Sequence, residues 1–333
     1  MSTQIVAEIG SVHDGSLGNA YKLIELAAEC GADAVKFQTH ISEAETLKNA
    51  PAPPFFIGEP RYDYFIRTGF SRTQWEELKA KCDECNIEFM SSPFSNEAVE
   101  LLESIGMKRY KIPSGEVTNI PMIDLIAQTK KPIILSSGMS TWEELDEAIH
   151  TIEKVHSKIT LLQCTSEYPC TYENVGLNIM QEMQNRYNFP IGLSDHTITN
   201  YAALSAATLG AVLIEKHLTF SRQMYGSDAR HSMEPPEFTD LVSGVKAINK
   251  MLSNKPDKNI IANQMKGMKE VFQKSIVAAK DIQKGEILKN EHLAFKKPGT
   301  GLSASKYKSI LGLKTKTEIL KDEYIKTKDL EQK

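Results

Sequence analysis

Short apolar, β-branched runs alternate along the chain with longer segments whose apolar residues recur at helical spacing. The strand-like runs fall at 4–10 (QIVAEIG), 33–39, 87–94, 109–114, 131–138, 159–165, 189–195 and 211–219. Between them, 19–30, 72–85, 96–104 and 141–156 carry apolar residues three and four apart, the signature of one buried helix face. Ser71 and Thr141 stand where helix N-caps belong. Strands that alternate with helices run parallel, because each crossover helix brings the chain back to the same end of the sheet. Eight such repeats predict an α/β fold closed into a (β/α)8 TIM barrel, with an open doubly wound sheet as the alternative. No Gly-rich dinucleotide fingerprint follows the first strand, which argues against the open sheet. The stretch from 41 to 69, rich in Pro and aromatic residues, predicts a loop over the catalytic mouth.

The rhythm stops near Leu252. Residues 1–252 are expected to form the barrel, 253–273 a polar, Lys-rich linker, and 274–333 a small β-rich domain of short alternating segments broken by turns. A unit that small is marginal alone, so it is expected to dock on another surface.

Composition narrows the functional classes. The 333 residues are 41% hydrophobic and 25% charged, ordinary for a globular protein. A net charge of −4 gives no electrostatic reason to expect nucleic acid or an anionic membrane as partner, so an anionic substrate needs a local cationic pocket. No apolar run reaches the roughly 20 residues of a membrane span, and the first residues lack the basic and apolar regions of a signal peptide. Five sparse cysteines (Cys30, Cys82, Cys85, Cys164 and Cys170) suit a reducing compartment, and a cytoplasmic location is expected.

In a (β/α)8 barrel the C-terminal ends of the strands converge on one mouth, where chemistry takes place. Reading those ends gives Glu8, Lys36, Ser91, Ser92, Lys111, Ser114, Ser136, Cys164 to Ser166, Ser194, His196, Glu215 and His217. Two lysines and several serines around one mouth suit a phosphate ester that also carries a carboxylate: lysine supplies charge, and hydroxyls supply directional donors. Each lysine alone could instead snorkel from a strand end. His196 and His217 end the seventh and eighth strands, so both rings can reach one divalent ion that keeps open positions for substrate or water. Glu8, Glu116, Glu215 and Asp228 are candidate proton acceptors or sugar ligands. Each also has a plainer role as the partner of a nearby lysine, Glu215 above all. Cys82 and Cys85 match C-x-x-C but lie within a helical run with no second pair, and Gly299-Thr-Gly301 lacks the context of a nucleotide loop.

At these residues the chain resembles the sialic acid synthase family, which comprises N-acetylneuraminate, legionaminate and pseudaminate synthases and a spore-coat relative. The motifs AEIGSVHDGS (7–16), VKFQTH (35–40), YKIPSGE (110–116), ILSSGM (134–139), CTSEYP (164–169), IGLSDH (191–196), EKHLT (215–219), GSD (226–228) and SMEPPEF (232–238) follow in family order. KKPGTGLS (296–303) resembles the antifreeze-like SAF domain that closes this family. The resemblance implies a synthase that condenses phosphoenolpyruvate with N-acetylmannosamine or a related 2,4-diacetamido-trideoxy hexose. It implies that Lys36, Lys111, Ser114, Ser136 and Ser194 hold phosphoenolpyruvate and that Mn²⁺ or Mg²⁺ sits on His196 and His217. Glu8, Gln38, Glu116, Tyr168 and Asp228 would position the sugar or a water, with Glu8, Glu116 and Lys111 as the catalytic group. It further implies a domain-swapped homodimer in which Lys297 meets the partner's sugar. Lys297 stands where the family often has arginine, Ser166 where one branch has asparagine, and Val12 and Asp14 depart from the usual polar residues. All four lie around the acceptor, which leaves the sugar less defined than the reaction. The competing expectations are another phosphoenolpyruvate-dependent sugar-acid synthase, against which the C-terminal domain argues, and a non-catalytic carbohydrate-binding barrel.

Overall fold

The structure, a computed structural model, describes residues 2–51 and 59–331, so the Pro- and Phe-rich centre of the 41–69 insertion lies outside the described residues. The chain divides into two compact units, Met1–Asn254 and Lys255–Lys333.

In the first unit eight strands are β1 (Gln4–Gly10), β2 (Ala34–Thr39), β3 (Glu88–Pro93), β4 (Tyr110–Ile112), β5 (Ile133–Ser136), β6 (Ile159–Cys164), β7 (Ile191–Asp195) and β8 (Leu213–His217). They form one parallel sheet in the order β3-β2-β1-β8-β7-β6-β5-β4, and the end strands β3 and β4 pack side by side to close the ring. The expected barrel is the observed one. The helices are α1 (Leu17–Glu29), α2 (Ser42–Glu45), α3 (Arg61–Thr68), α4 (Arg72–Glu84), α5 (Asn96–Ser104), α6 (Ile120–Gln128), α7 (Trp142–Glu153), α8 (Leu177–Arg186), α9 (Tyr201–Thr208) and α10 (Pro235–Ser253). Local signals fix several starts. Ser71 with Gln74 and Thr141 with Glu144 form capping boxes, each satisfying two backbone donors at a helix start. Helices α2 and α3 belong to the insertion after β2, which is thus partly helical where a loop was expected.

Alternation along the strands separates two cores. Residues such as Ile5, Ala7, Val35, Phe37, Phe89, Leu161 and Leu193 face the helices. Val6, Ala34, Met90, Ile134, Leu162 and Leu213 form a separate apolar layer inside the barrel.

The second unit pairs β9 (Ser275–Ala278) antiparallel with β10 (Leu293–Lys296), extended by isolated bridges such as Val277 to Tyr324 and Ile282 to Ile319. Its own core contains Ile276, Ile282, Leu288, Ile310, Ile319 and Ile325. The stretch expected to link the domains carries two short helices, α11 (Lys258–Gln264) and α12 (Lys266–Phe272), the first capped by the Asp257 carboxylate.

Candidate active site

The barrel's inner apolar layer is the floor of the site. Two residues further along the same strands, on the same face, stand Glu8, Lys36, Ser92, Ser136, Cys164 and Glu215. All six line a cavity of about 400 Å³ at the C-terminal mouth, together with Lys111 from β4 and Ser194 from β7. His196 and His217 stand one pleat higher, and Gln38, Ser114, Ser166, Tyr168 and Asp228 complete the expected lining. A larger hollow between α7 and α8 is lined without a lysine or arginine and offers an anion no positive side chain. Lys216, on the opposite face of β8, points away from the mouth and is held in a buried pair with Asp195 at 2.7 Å.

The two mouth lysines are buried and paired. Lys111 Nζ donates to both oxygens of Glu215, at 2.8 and 2.9 Å. Lys36 Nζ lies 2.7 Å from Glu8 Oε2 and 3.8 Å from Glu215 Oε1, and donates to Ser92 Oγ at 3.3 Å. Burial disfavours its charge, but Glu215 and Glu8 more than compensate and raise its pKa, so Lys36 is cationic. The carboxylates diverge. Burial raises the Glu8 carboxyl to about 7 against the pull of Lys36. Glu215 is opposed by burial too, but Lys111 and Lys36 bring it down to about 2. Two carboxylates pushed apart in this way suit different roles, a proton-exchanging group and a permanent anion. Asp228 is held low, against burial, with the Ser11 backbone amide and hydroxyl both donating to it at 2.9 Å.

Among the described residues, three buried polar atoms at the mouth accept or donate no hydrogen bond, Glu8 Oε2, Ser136 Oγ and His217 Nδ1, of which the first is ion-paired with Lys36 and the other two have no protein partner. Leaving such groups unpaired costs about 1–3 kcal/mol each, so each marks a place where a ligand is rewarded.

The histidine pair also fits a metal. His196 Nδ1 lies 2.8 Å from the Thr165 carbonyl and so carries its proton there, while Nε2 faces the Tyr168 hydroxyl at 3.2 Å. A carbonyl fixing the far nitrogen is how ligating histidines are oriented. Burial holds the His217 pKa down at about 3, leaving it neutral, and the two ring centroids are 5.7 Å apart. Among the described residues no His, Cys, Asp or Glu joins them in a group of three or more. The pair therefore suits an ion that takes its other ligands from substrate and water.

Two expected residues lie elsewhere. Glu116 is not part of the cavity lining; its carboxylate accepts from the Asn119 amide at 2.8 Å, and burial raises its pKa. Lys297 belongs to the second unit, where its ammonium lies over the Phe272 ring. The mouth also gains Ser11, His40, Arg61, Phe65, Phe94 and His231, none of which strand-end reading selects. His40 follows β2 directly in the VKFQTH motif, a signal that was present; Arg61 and Phe65 come from α3, whose path the sequence does not announce.

Gly138 sits between two of the hydroxyls. A Cβ there would stand 2.5 Å from Ser166 Oγ and 2.6 Å from Ser114 Oγ. Gly138→Ala is therefore expected to displace both hydroxyls and raise the KM for the anionic substrate about tenfold or more, the worth of one or two hydrogen bonds to charge, with little change in melting temperature. An unchanged KM would remove these serines from the binding site.

A closed parallel barrel with a lysine- and serine-lined mouth and two facing histidines, followed along the chain by a small β unit, defines a class of barrel protein whose mouth offers cations and hydroxyls to an anionic ligand. Within that class the chain belongs to the NeuB family, whose model matches residues 23–257, and the SAF domain model matches 273–331. It is 38% identical to the N,N'-diacetyllegionaminic acid synthase of Campylobacter jejuni, over 97% of this chain and 99% of that one. It is 34% identical to the pseudaminic acid synthase of Helicobacter pylori, over 99% and 98%. Among solved structures, the N-acetylneuraminic acid synthetase of Leptospira borgpetersenii superposes with a TM-score of 0.71 at 31% identity, covering 79% of this chain and 90% of that one.

Proposed function

We propose that this chain is a nonulosonic acid synthase, condensing phosphoenolpyruvate with an acylamino sugar aldehyde and releasing phosphate by carbon–oxygen cleavage. The observation that carries the reading is the pair of buried lysines at the barrel mouth, beside a serine hydroxyl without a protein partner. Lys36 and Lys111 bind the carboxylate and phosphate of phosphoenolpyruvate, exchanging part of their pairing with Glu8 and Glu215 for the ligand. Ser114, Ser136, Ser166 and Ser194 supply directional donors to the same anion. Glu8, whose carboxyl titrates near neutrality, exchanges a proton with the reacting oxygen atoms. Tyr168, Gln38 and Asp228 orient the sugar. His196 and His217 would hold a divalent ion such as manganese or magnesium, which would supply Lewis-acid polarisation of the aldehyde. Fixing both reactants in one cavity removes much of the bimolecular entropy cost.

Acceptors of the 2,4-diacetamido-trideoxy class are favoured over N-acetylmannosamine by the likeness to the C. jejuni and H. pylori synthases. A homodimer in which the SAF domain of one chain completes the partner's mouth, and in which Lys297 meets the sugar, belongs to the same proposal. So does a cytoplasmic location, which the five free cysteines favour. Among the described residues no helix is long and apolar enough to cross a membrane. The test is phosphate release from phosphoenolpyruvate with each acceptor, with Mn²⁺ and again with chelator. Release that depends on sugar and metal, faster with a diacetamido hexose, is expected. No release with any of these sugars from folded protein would return the chain to the carbohydrate-binding reading.

A further inference from the structure

The insertion after β2 reaches the catalytic carboxylate through one unbroken line of hydrogen bonds. His40 Nδ1 lies 2.9 and 3.0 Å from the two oxygens of Glu45, at the end of α2. His40 Nε2 lies 3.1 Å from Gln38 Oε1, and Gln38 Nε2 donates to Glu8 Oε1 at 2.8 Å. The imidazole is clamped between Phe65 and Phe94, with centroids 3.6 and 4.1 Å away and planes nearly parallel, and the His40 and Glu45 side chains are only 6% and 4% exposed.

Donor and acceptor chemistry restricts this line. A carboxamide that gives its NH2 to Glu8 can only accept with its oxygen, so His40 Nε2 must carry a proton. At the other nitrogen, either a protonated Nδ1 donates to the Glu45 carboxylate, or a protonated Glu45 donates to a bare Nδ1. Both arrangements hold one proton more than a neutral imidazole beside a carboxylate anion. The alternative, with the Gln38 amide reversed and Nε2 accepting, sets the amide oxygen against Glu8 Oε1 and requires a proton on that carboxyl, so the protonation of His40 Nε2 distinguishes the two arrangements.

We propose that His40 and Glu45 form a positioning pair that holds this proton and thereby locks the Gln38 carboxamide with its NH2 toward Glu8. The proposal rests on the synthase reading only for its effect on turnover; the ring protonation it specifies is independent of any substrate. The pair sits among charges from every side: Arg61 from α3, Asp228 after β8 and His13 after β1 face His40, and Glu116 faces Glu45. Burial lowers the His40 pKa overall, with Glu45 opposing it, while the flanking phenyl faces favour a cation between them.

The test is nitrogen-15 NMR of the imidazoles in the full chain at neutral pH without substrate. The protein has eight histidines, and His40→Phe, which preserves the aromatic stack, identifies the His40 signal by its loss. A proton on Nε2 is expected in wild type and in Glu45→Gln, whose carboxamide can still donate to Nδ1. Nε2 without a proton in wild type would overturn the proposal. In turnover assays His40→Phe is expected to lose at least tenfold in kcat and to melt lower, since Glu45 loses its partner; His40→Phe/Glu45→Gln is expected to regain stability but not turnover, and Glu45→Gln alone to lose less. Turnover within twofold of wild type in His40→Phe would equally overturn it. Absence of turnover in wild type with a protonated Nε2 would reject the synthase reading and leave the proton assignment standing.

Discussion

Replacing Lys111 by methionine is expected to cut turnover roughly a thousandfold, the scale for losing one group that stabilises charge at a reacting anion. The same change is expected to lower stability by about 3–5 kcal/mol, because it strands a buried carboxylate. The structure separates the two effects. Glu215 takes both of its short contacts from Lys111 and keeps only Lys36 at 3.8 Å and the Ser194 hydroxyl at 3.2 Å when that lysine is gone. Lys111→Met/Glu215→Gln removes the stranded charge, so it should regain most of the lost stability and none of the activity. The pH dependence carries a sign that can be checked. Glu215 is depressed from 4.5 to about 2 in the folded chain, so its pairing contributes fully above pH 4.5 and is lost as pH falls through about 2. The stability gap between wild type and Lys111→Met should be widest near neutrality and close in acid. Denaturant titrations across that range measure it. A double variant that recovers activity as well as stability would show that Lys111 is structural only.

How much of this was legible in sequence follows from the geometry of strands. A barrel strand shows its inward residues every second position, so apolar Val6, Ala34 and Ile134 followed two residues later by Glu8, Lys36 and Ser136 announce both the floor and the mouth. The same parity separates Lys111, which faces the mouth, from Lys216, which does not. Residues set by chain path rather than parity were not legible. Arg61 and Phe65 reach the cavity because the insertion folds back as α3, and no local period predicts that return. Glu116 failed to line the cavity because the turn Ser114–Glu116 follows β4 directly and carries the third residue of the turn toward Asn119. The helices α11 and α12 were missed although Ile260, Ile261, Met265, Met268, Val271 and Phe272 in and between them recur at helical spacing, because the polar, Lys-rich residues around them read as a linker; these apolar side chains are exposed in this chain. The Glu215 partnership was half visible: a carboxylate at a mouth that also receives two lysines suggests pairing, but its partner Lys111 comes from β4, which does not neighbour β8 and meets it only because the barrel closes.

His217→Ala is expected to have the other large effect, and its value is that it separates chemistry from folding. Nδ1 of His217 has no protein partner, so the substitution breaks no hydrogen bond of that atom and the melting temperature should stay close to that of wild type. The ring is neutral above about pH 3 because burial opposes its charge, so its lone pair is available throughout the working range. Losing one of two imidazoles should weaken Mn²⁺ binding, read by calorimetry without substrate, by far more than the roughly 10–100-fold typical of an outer-shell change. Turnover should fall at least as far, and chelation of the wild-type protein should reproduce the loss reversibly. Binding of phosphoenolpyruvate in the absence of sugar should change much less, since Lys36, Lys111 and Ser136 remain. A His217→Ala protein that binds Mn²⁺ as wild type does would remove the histidine pair from the metal site. One that loses the ion yet turns over normally would instead show that Lys36, Lys111 and the serines suffice for the reaction, with the metal at most structural.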